Sequence, residues 1–297
     1  MSARDLEPAL LVTFLAVLDA GRISAAARTM HLSQPAVTAQ VRRLEEAVGA
    51  ALFVRSVHGV TPTDAGLRLA TTARAIRQTL DVTFAEIAGP ASGGELLLGA
   101  STTVAAHVLP SLLAGFRTLH RGMRIQVRSG NTEQVVNDVR SGRVPLGLVE
   151  GHARAAGVRL EPYRDDEIVA VLGRDAPWTL RRAADLDAVP ILWREEGSGT
   201  RAVVERALAK AGVHRRSARE LDLELGGTEA ILGGVEAGLG VAFVSRISLG
   251  AHLAAGLVRI VPGLDLVIRR TFRWALPTGS LSGTALQFHG FAKRIAA

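Results

Sequence analysis

The apolar pattern of this chain changes period once, near residue 90, and that change demands two different architectures. From Pro8 to about Ala88 apolar residues recur at three- and four-residue spacing, the mark of helices with one buried stripe. Leu11, Phe14, Leu15 and Leu18 define a first helix, which Gly21 ends. Ser24 is placed to cap a short second helix from Ala25 to Met30, because a serine hydroxyl accepts from a free amide one turn on. His31 and Leu32 carry a tight turn. Ser33 then caps a third helix, with Pro35 in the first turn, where a missing N–H costs little. In that helix Val37, Val41, Leu44 and Val48 share the core side, and Pro35, Thr38, Ala39, Arg42 and Arg43 form the opposite arc. Two helices joined by a short turn, the second with a polar outer arc, predict a helix-turn-helix. Leu52 to Val54 and Val57 to Val60 predict two short strands around Ser56 to Gly59, a wing. Thr63 is placed to cap a long helix reaching Ile87, with Leu69, Ala73, Ile76, Leu80, Phe84 and Ile87 on one stripe. At a 1.5 Å rise, about 25 residues reach roughly 37 Å. So small a domain cannot cover that stripe, which predicts a partner helix.

Gly89, Pro90, Ser92, Gly93 and Gly94 predict a hinge. Beyond it come strands near 96–100, 124–128 and 146–149 with helices near 104–119 and 133–141 between them. A second set follows, with strands near 167–172, 190–193, 220–225 and 241–244 and helices near 200–211 and 229–237. Strands alternating with helices predict parallel sheets covered on both faces, and two such sets predict two lobes. A strand within 264–276 and a closing helix near 281–295 return to complete the first lobe. The expected organisation is therefore an N-terminal all-α winged helix-turn-helix over 1–62, a linker helix and hinge over 63–94, and a two-lobed α/β domain over 95–297. Its first lobe takes 95–165 and 265–297, and its second 166–264.

Composition removes several alternatives. A length of 297 residues suits about two domains, and a hydrophobic fraction of 48% excludes global disorder. The chain has no cysteine, which excludes a disulfide framework, a thiolate metal site and a cysteine nucleophile, and which is compatible with a reducing cytoplasm. The apolar run from Ala9 to Leu18 is far short of the roughly 20 residues that a membrane-spanning helix needs. Asp5 and Glu7 cancel the positive start of a secretion signal, so a cytoplasmic protein without membrane contact is expected. The net charge of +7 hints at an anionic partner but says nothing of fold. Residues 1–90 hold 9 basic and 8 acidic side chains and the rest 26 and 20, so most of the surplus lies in the second region.

An ordered set of short motifs runs through the first region: Ala25-Ala26-Ala27, Leu32-Ser33-Gln34-Pro35-Ala36-Val37-Thr38, Arg42-Arg43-Leu44-Glu45, Leu52-Phe53-Val54-Arg55 and Thr63-Asp64-Ala65-Gly66. In these motifs and their spacing the chain resembles the LysR-type transcriptional regulators, and the two-lobed remainder agrees in length and pattern. The resemblance implies a dimer pairing through residues 63–87, assembly into a homotetramer, binding of double-stranded DNA, and an effector domain with the two-lobed architecture of periplasmic binding proteins. It implies that Ser33, Gln34, Pro35 and Thr38 belong to the major-groove face, that Arg42 and Arg43 lie near phosphates, and that Arg55 on the wing meets the backbone or minor groove. The chemistry agrees: amide, hydroxyl and methyl groups discriminate base edges, while arginine supplies register and salt-dependent affinity. Ala39 and Arg22 depart from the family pattern. Ala39 limits readout there to packing on a thymine methyl.

In the second region small polar residues stand where strands feed helices: Ser101-Thr102-Thr103, Asn131-Thr132, Gly197-Ser198-Gly199-Thr200-Arg201 and Gly227-Thr228. Free amides and the positive helix end make such junctions potential anion sites, although any single Ser or Thr there is most simply an N-cap. Ligands of open α/β sheets lie at the carboxyl ends of strands. The resemblance implies an effector site between the lobes, so Ser101, Thr102, Thr132, Ser198, Gly199, Thr200 and Thr228 are its candidates, with Glu150 orienting a ligand amine or hydroxyl. The stretch Trp193 to Arg201 resembles that of family members sensing small oxyanions or carbon-assimilation metabolites. Arg201 is placed either to neutralise such an anion or to pair with a nearby acid on its helix.

An enzyme is the first competing reading. The sequence has no His-Glu-x-x-His, no Gly-x-Ser-x-Gly elbow and no P-loop, so no catalytic residue, metal or cofactor is expected. A solute-binding module of the same two-lobed fold is the second, and it leaves the helix-turn-helix and long helix unexplained. The reading favoured is a regulator that responds to a small anionic effector.

Overall fold

The computed structural model describes residues 7–56, 59–88, 94–151, 156–213, 222–262 and 264–296, with the backbone alone for 78, 81–88 and 296. The chain divides into two compact units, the first containing 7–88 together with 141–143 and the second 94–140 and 144–296.

In the first unit, helix α1 (Pro8–Ala20) starts on a proline and stops at Gly21, whose φ of 64° only glycine adopts without cost. Helix α2 runs over Ile23–Thr29, starting two residues earlier than expected. Ser24 therefore lies inside it and Arg22 takes the N-cap position with no side-chain bond, a correction to the serine cap. After His31, at φ 55°, Ser33 opens α3 (Gln34–Val48) by accepting from the Ala36 amide at 3.3 Å. Val37, Val41 and Leu44 are buried against Leu11, Phe14 and Leu15 of α1. Val48, expected on the core side, is 41% exposed in the last turn before Gly49.

Glu45 Oε1 accepts from the amides of Leu52 and Phe53, tying the wing to α3. Strands β1 (Phe53–Ser56) and β2 (Gly59–Pro62) pair antiparallel; Val57, placed in the second strand by sequence, lies outside the described residues. Gly59 must be glycine, because a Cβ there would stand 2.4 Å from the Gly21 carbonyl that Val60 bonds. Thr63 caps α4 (Asp64–Ala88) as expected, accepting from the Gly66 amide while donating to the Ala51 carbonyl. Of the α4 stripe, Leu69 and Ala73 pack into the domain core, whereas Ile76 and Leu80 remain exposed. The side chains of Phe84 and Ile87, and the hinge residues 89–93, lie outside the described residues. No single described helix is long and apolar enough to cross a membrane.

The second unit opens with β3 (Glu95–Ser101), α5 (Thr102–His107), α6 (Leu109–Leu119), β4 (Arg124–Gly130), α7 (Thr132–Arg140) and β5 (Gly147–Glu150). The single helix expected near 104–119 is broken at Val108, because Pro110 lacks the N–H that a continuous helix needs and instead starts α6. There follow β6 (Val158–Gly173), β7 (Ile191–Arg194), α8 (Gly199–Lys210), β8 (Leu223–Leu225), α9 (Thr228–Glu236), β9 (Val241–Ser245), α10 (Gly250–Ala254), β10 (Val258–Ile260), β11 (Ile268–Pro277) and α11 (Gly283–Ala296). Among the described residues the strands form one mixed sheet in the order β4-β3-β5-β11-β6-β9-β7-β8, with β10 also on β6.

The expected parallel pairing holds within each lobe, for β3 with β4 and β5 and for β7 with β8 and β9. It fails for the two long strands between them: β11 pairs antiparallel with both β5 and β6, and β6 antiparallel with β9. A 16-residue β6 alongside β11 thus carries the sheet from one lobe into the other. Around β3 and β5, Phe116, Trp274 and Phe288 centre one core, and Val135, Val136 and Val139 of α7 cover the opposite face. The second lobe is covered in the same way, by Val204 and Leu208 of α8 on one face and Ile231, Leu232 and Val235 of α9 on the other.

Candidate functional site

Parallel strands of both lobes end at one seam: Ser101, Gly130 and Glu150 from one side, Arg194 and Ser245 from the other. Glu150, 1% exposed, is its hub. Oε1 accepts from the Thr103 amide at 3.1 Å, and Oε2 accepts from Thr200 and, at 2.6 Å, from Arg270 Nη1. Burial, the strongest influence on this carboxyl, would raise its pKa. The charge of Arg270, the Thr200 hydrogen bond, the charge of Arg194 and the Thr103 amide outweigh it, lowering the pKa from 4.5 to about 2. Arg270 also donates through Nε to Asp166 at 2.7 Å, directly opposite it in the β6–β11 register, and Ser245 donates to the same carboxylate.

A second buried arginine joins the lobes. Arg194, its side chain 5% exposed, donates through Nε and Nη2 to the two oxygens of Glu195, both at 2.8 Å. Nη2 also reaches Thr102 at 3.0 Å and Nη1 reaches Thr228 at 3.2 Å, while the Thr103 and Thr228 hydroxyls lie 3.0 Å apart. The Gly227 amide donates to Glu195 at 3.1 Å. Partial burial raises the Glu195 carboxyl, but the Arg194 and Gly227 hydrogen bonds keep it below the ordinary carboxylate range.

The backbone beyond β7 also bonds across the seam, where Glu133 N donates to the Gly197 carbonyl and Asn131 Nδ2 to the Glu196 carbonyl, while within the first lobe Thr132 donates to the Glu150 carbonyl. Only glycine fits at 199, where a Cβ would stand 2.2 Å from the Glu150 oxygen and 2.5 Å from Thr132 Oγ1.

The seam thus brings together Thr102, Thr132, Glu150, Gly199, Thr200 and Thr228, with Ser101 and Ser198 beside them. Several do other work than expected. Glu150 is consumed by Arg270, Thr200 and Thr103, so its charge is neutralised inside the protein. Ser198 is the N-cap of α8, accepting from Arg201 N. Arg201 pairs with Glu205 at 2.8 Å and Glu224 at 2.6 Å, the helix-surface alternative. Two buried donors at the seam have no partner among the described residues, Ser101 Oγ and Arg270 Nη2. A cavity of about 590 Å³ is lined by Gly151, by Val203, Arg206 and Lys210 of α8, and by 265–271, Arg270 included. No three described His, Asp or Glu side chains gather as a metal site.

Sequence reasoning named Thr103, Arg194 and Glu195 only within longer stretches and not as site candidates, and it missed Arg270 and Asp166. A signal for Arg270 exists: in Ile268-Arg269-Arg270-Thr271-Phe272-Arg273-Trp274 it shares strand parity with three buried apolar residues.

In the first unit, Ser33, Gln34, Pro35, Arg42 and Arg43 are exposed and Thr38 is half-buried on one side of α3, and Arg55 is exposed on β1. Arg42 has no carboxylate partner among the described residues, whereas Arg43 pairs with Glu7 at 2.8 Å, both more than half exposed. An ion pair that exposed is worth little and exchanges readily for another anion.

Comparison with known proteins agrees with both units. Residues 8–67 match the family described as bacterial regulatory helix-turn-helix protein, lysR family, and residues 90–297 match the LysR substrate binding domain. The chain is 31% identical over 248 residues to the HTH-type transcriptional regulator CysL of Bacillus subtilis, covering 82% of each chain. It is 33% identical over 280 residues to the HTH-type transcriptional regulator CbbR of Xanthobacter flavus, covering 87% of this chain and 80% of the relative. The solved CcmR regulatory domain of Synechocystis PCC6803, in complex with 2-PG, superposes with a TM-score of 0.61 at 25% identity, over 68% of this chain and 97% of that one.

Proposed function

The chain belongs to the LysR family and is a ligand-responsive, DNA-binding transcriptional regulator, and from that premise we propose that its effector is a small oxyanion bound at the seam between the two lobes. The observation that carries this reading is the pair of buried, unpartnered donors at the seam, Ser101 Oγ, next in sequence to the Thr102 that with Thr228 meets Arg194, and Arg270 Nη2, on the guanidinium that bonds Glu150. A buried donor without an acceptor costs about 1–3 kcal/mol, and an oxyanion supplies the missing acceptors. The solved relative that binds 2-PG supports an anion of this kind. Because both lobes contribute to the seam, an anion that fits one lobe arrangement better biases the equilibrium towards it by its differential affinity.

Double-stranded DNA meets the exposed face of α3. Gln34, Pro35 and Thr38 enter the major groove, with Ser33 at the helix start; Arg42, and Arg43 released from Glu7, take phosphates; Arg55 on the wing takes backbone or minor groove. The uncovered stripe of α4 pairs two chains, placing two recognition helices on successive half-sites of a pseudo-palindrome, and dimers pair into tetramers. The regulator acts in the cytoplasm and performs no catalytic step. With duplex from its own promoter region at ~0.15 M salt, binding tighter than to random duplex is expected. Gln34→Ala is expected to reduce discrimination at one base position by about 1–3 kcal/mol while leaving the salt dependence unchanged. Equal affinity for promoter and random duplex in a gel shift refutes the DNA assignment.

A further inference from the structure

We infer that Arg194 is the cation that receives the effector and that Glu195 is a built-in anion occupying it beforehand, so that a small oxyanion binds by exchanging places with the Glu195 carboxylate. The inference rests on the reading of an oxyanion at the seam and adds the receptor and its internal competitor.

The geometry is that of a bound carboxylate. Glu195 presents two oxygens, each 2.8 Å from a separate nitrogen of the guanidinium, the fork that carboxylate, phosphate and sulfate groups all satisfy. The remaining Arg194 bonds go to hydroxyls from different lobes, Thr102 and Thr228. These are neutral groups whose oxygens accept from Arg194 and whose O–H protons can turn towards a new anion. Thr102 follows directly on Ser101, whose buried hydroxyl has no partner.

The two partners are unequal in exposure. Arg194 is 5% exposed and fixed at the end of β7, whereas the Glu195 side chain is 25% exposed, lies beyond the strand end and is otherwise tied only by the Gly227 amide among the described residues. The carboxylate can return to water at small cost; the guanidinium cannot. A buried arginine without a counter-ion is unfavourable, and Glu150, which feels the Arg194 charge, is bonded to Arg270, so the fork of Arg194 favours an anion of its own, either Glu195 or the effector. Adjacent residues on a regular strand point to opposite faces, and the pair meets only because β7 stops at Arg194. Exchange also changes what joins the lobes, since Glu195 binds only to its own lobe while an anion beside Ser101 and Thr102 binds to both.

The test uses the full chain and three probes, inorganic phosphate, inorganic sulfate and 2-PG, with Kd measured by calorimetry and the melting temperature measured with and without each. At least one probe is expected to bind. Glu195→Gln, which removes the competing charge but keeps an acceptor for Gly227, is expected to bind that probe about tenfold or more tightly, because occupation by the internal anion no longer reduces the apparent affinity. It is also expected to melt lower than the native chain without a probe and to gain more on adding it. Arg194→Gln is expected to lose the probe. Glu195→Asp, whose shorter carboxylate keeps the charge but withdraws from the fork, is expected to fall between the native chain and Glu195→Gln, and it serves as the readout if Glu195→Gln does not fold.

Binding that neither glutamate variant strengthens, together with its loss in Arg194→Gln, overturns the internal anion and leaves the oxyanion effector standing. Binding that survives in Arg194→Gln overturns Arg194 as receptor. No binding of any probe to the native chain or the glutamate variants overturns both readings.

Discussion

Replacing Arg270 with methionine is expected to remove about 3–5 kcal/mol of folding stability at pH 7, a large part of what holds a domain together. Methionine matches the length of the arginine stem and can keep its contact with Phe272, over whose ring the guanidinium lies at 5.0 Å. What is lost is the charge between two carboxylates, Glu150 and Asp166, whose side chains are 2% and 5% exposed. Glu150→Gln should cost less, since Arg270 keeps Asp166 as a counter-ion. That ranking separates an electrostatic loss from a packing loss.

The pH dependence follows with its sign. In the native protein the Glu150 pKa is lowered from 4.5 to about 2, so its contribution is fully present above pH 4.5 and fades as the pH falls through 2. Without Arg270 the largest influence opposing burial is gone, so the Glu150 pKa should lie higher than in the native protein. The stability that the native protein loses from this group as the pH falls from 4.5 through 2 should therefore shrink in Arg270→Met, and the deficit of the variant should narrow on acidification. Denaturant melts at pH 7 and about pH 3 decide it; a loss below about 1 kcal/mol at pH 7, or a deficit unchanged by acidification, refutes the account.

The second large effect is expected from charge on the α4 stripe. Ile76 and Leu80 are 36% and 39% exposed, so Ile76→Glu with Leu80→Glu leaves the packing of the domain intact. The double variant should sediment as a monomer, and its affinity for a two-half-site duplex should fall about 10²- to 10⁴-fold as the linkage between two recognition helices is lost. Binding to an isolated half-site should not change, because the exposed face of α3 is untouched. A double variant that remains dimeric places the interface elsewhere.

Local chemistry explains what could be read beforehand. Ser33 and Thr63 were legible as caps because a hydroxyl and a free amide three residues apart are fixed by the helix itself. Ser24 was misread because its short helix begins at Ile23 with no side-chain cap, held by Ala26 and Ala27 in the core. Periodicity placed Val48 on the core side but does not say how far a partner helix extends. Alternation of strands and helices revealed two lobes, but the direction of β6 and β11 depends on hydrogen bonds across 100 or more residues, which no local pattern records.

The candidate site shows the same division. The small polar residues at strand ends were visible because helix starts select them, yet which of them face a ligand was not. Ser198 and Arg201 are satisfied within their own helix surface, and Glu150 is neutralised by Arg270, 120 residues away. By itself the sequence determined the helix-turn-helix, the wing, the long helix, and the two sets of strands and helices, because each depends on contacts repeating every two to four residues. Only the tertiary structure decided that Arg194 and Arg270 stand at the seam and which anions hold them. Burying a charge is tolerable only beside its counter-ion, and that neighbour is chosen by how the sheet is ordered.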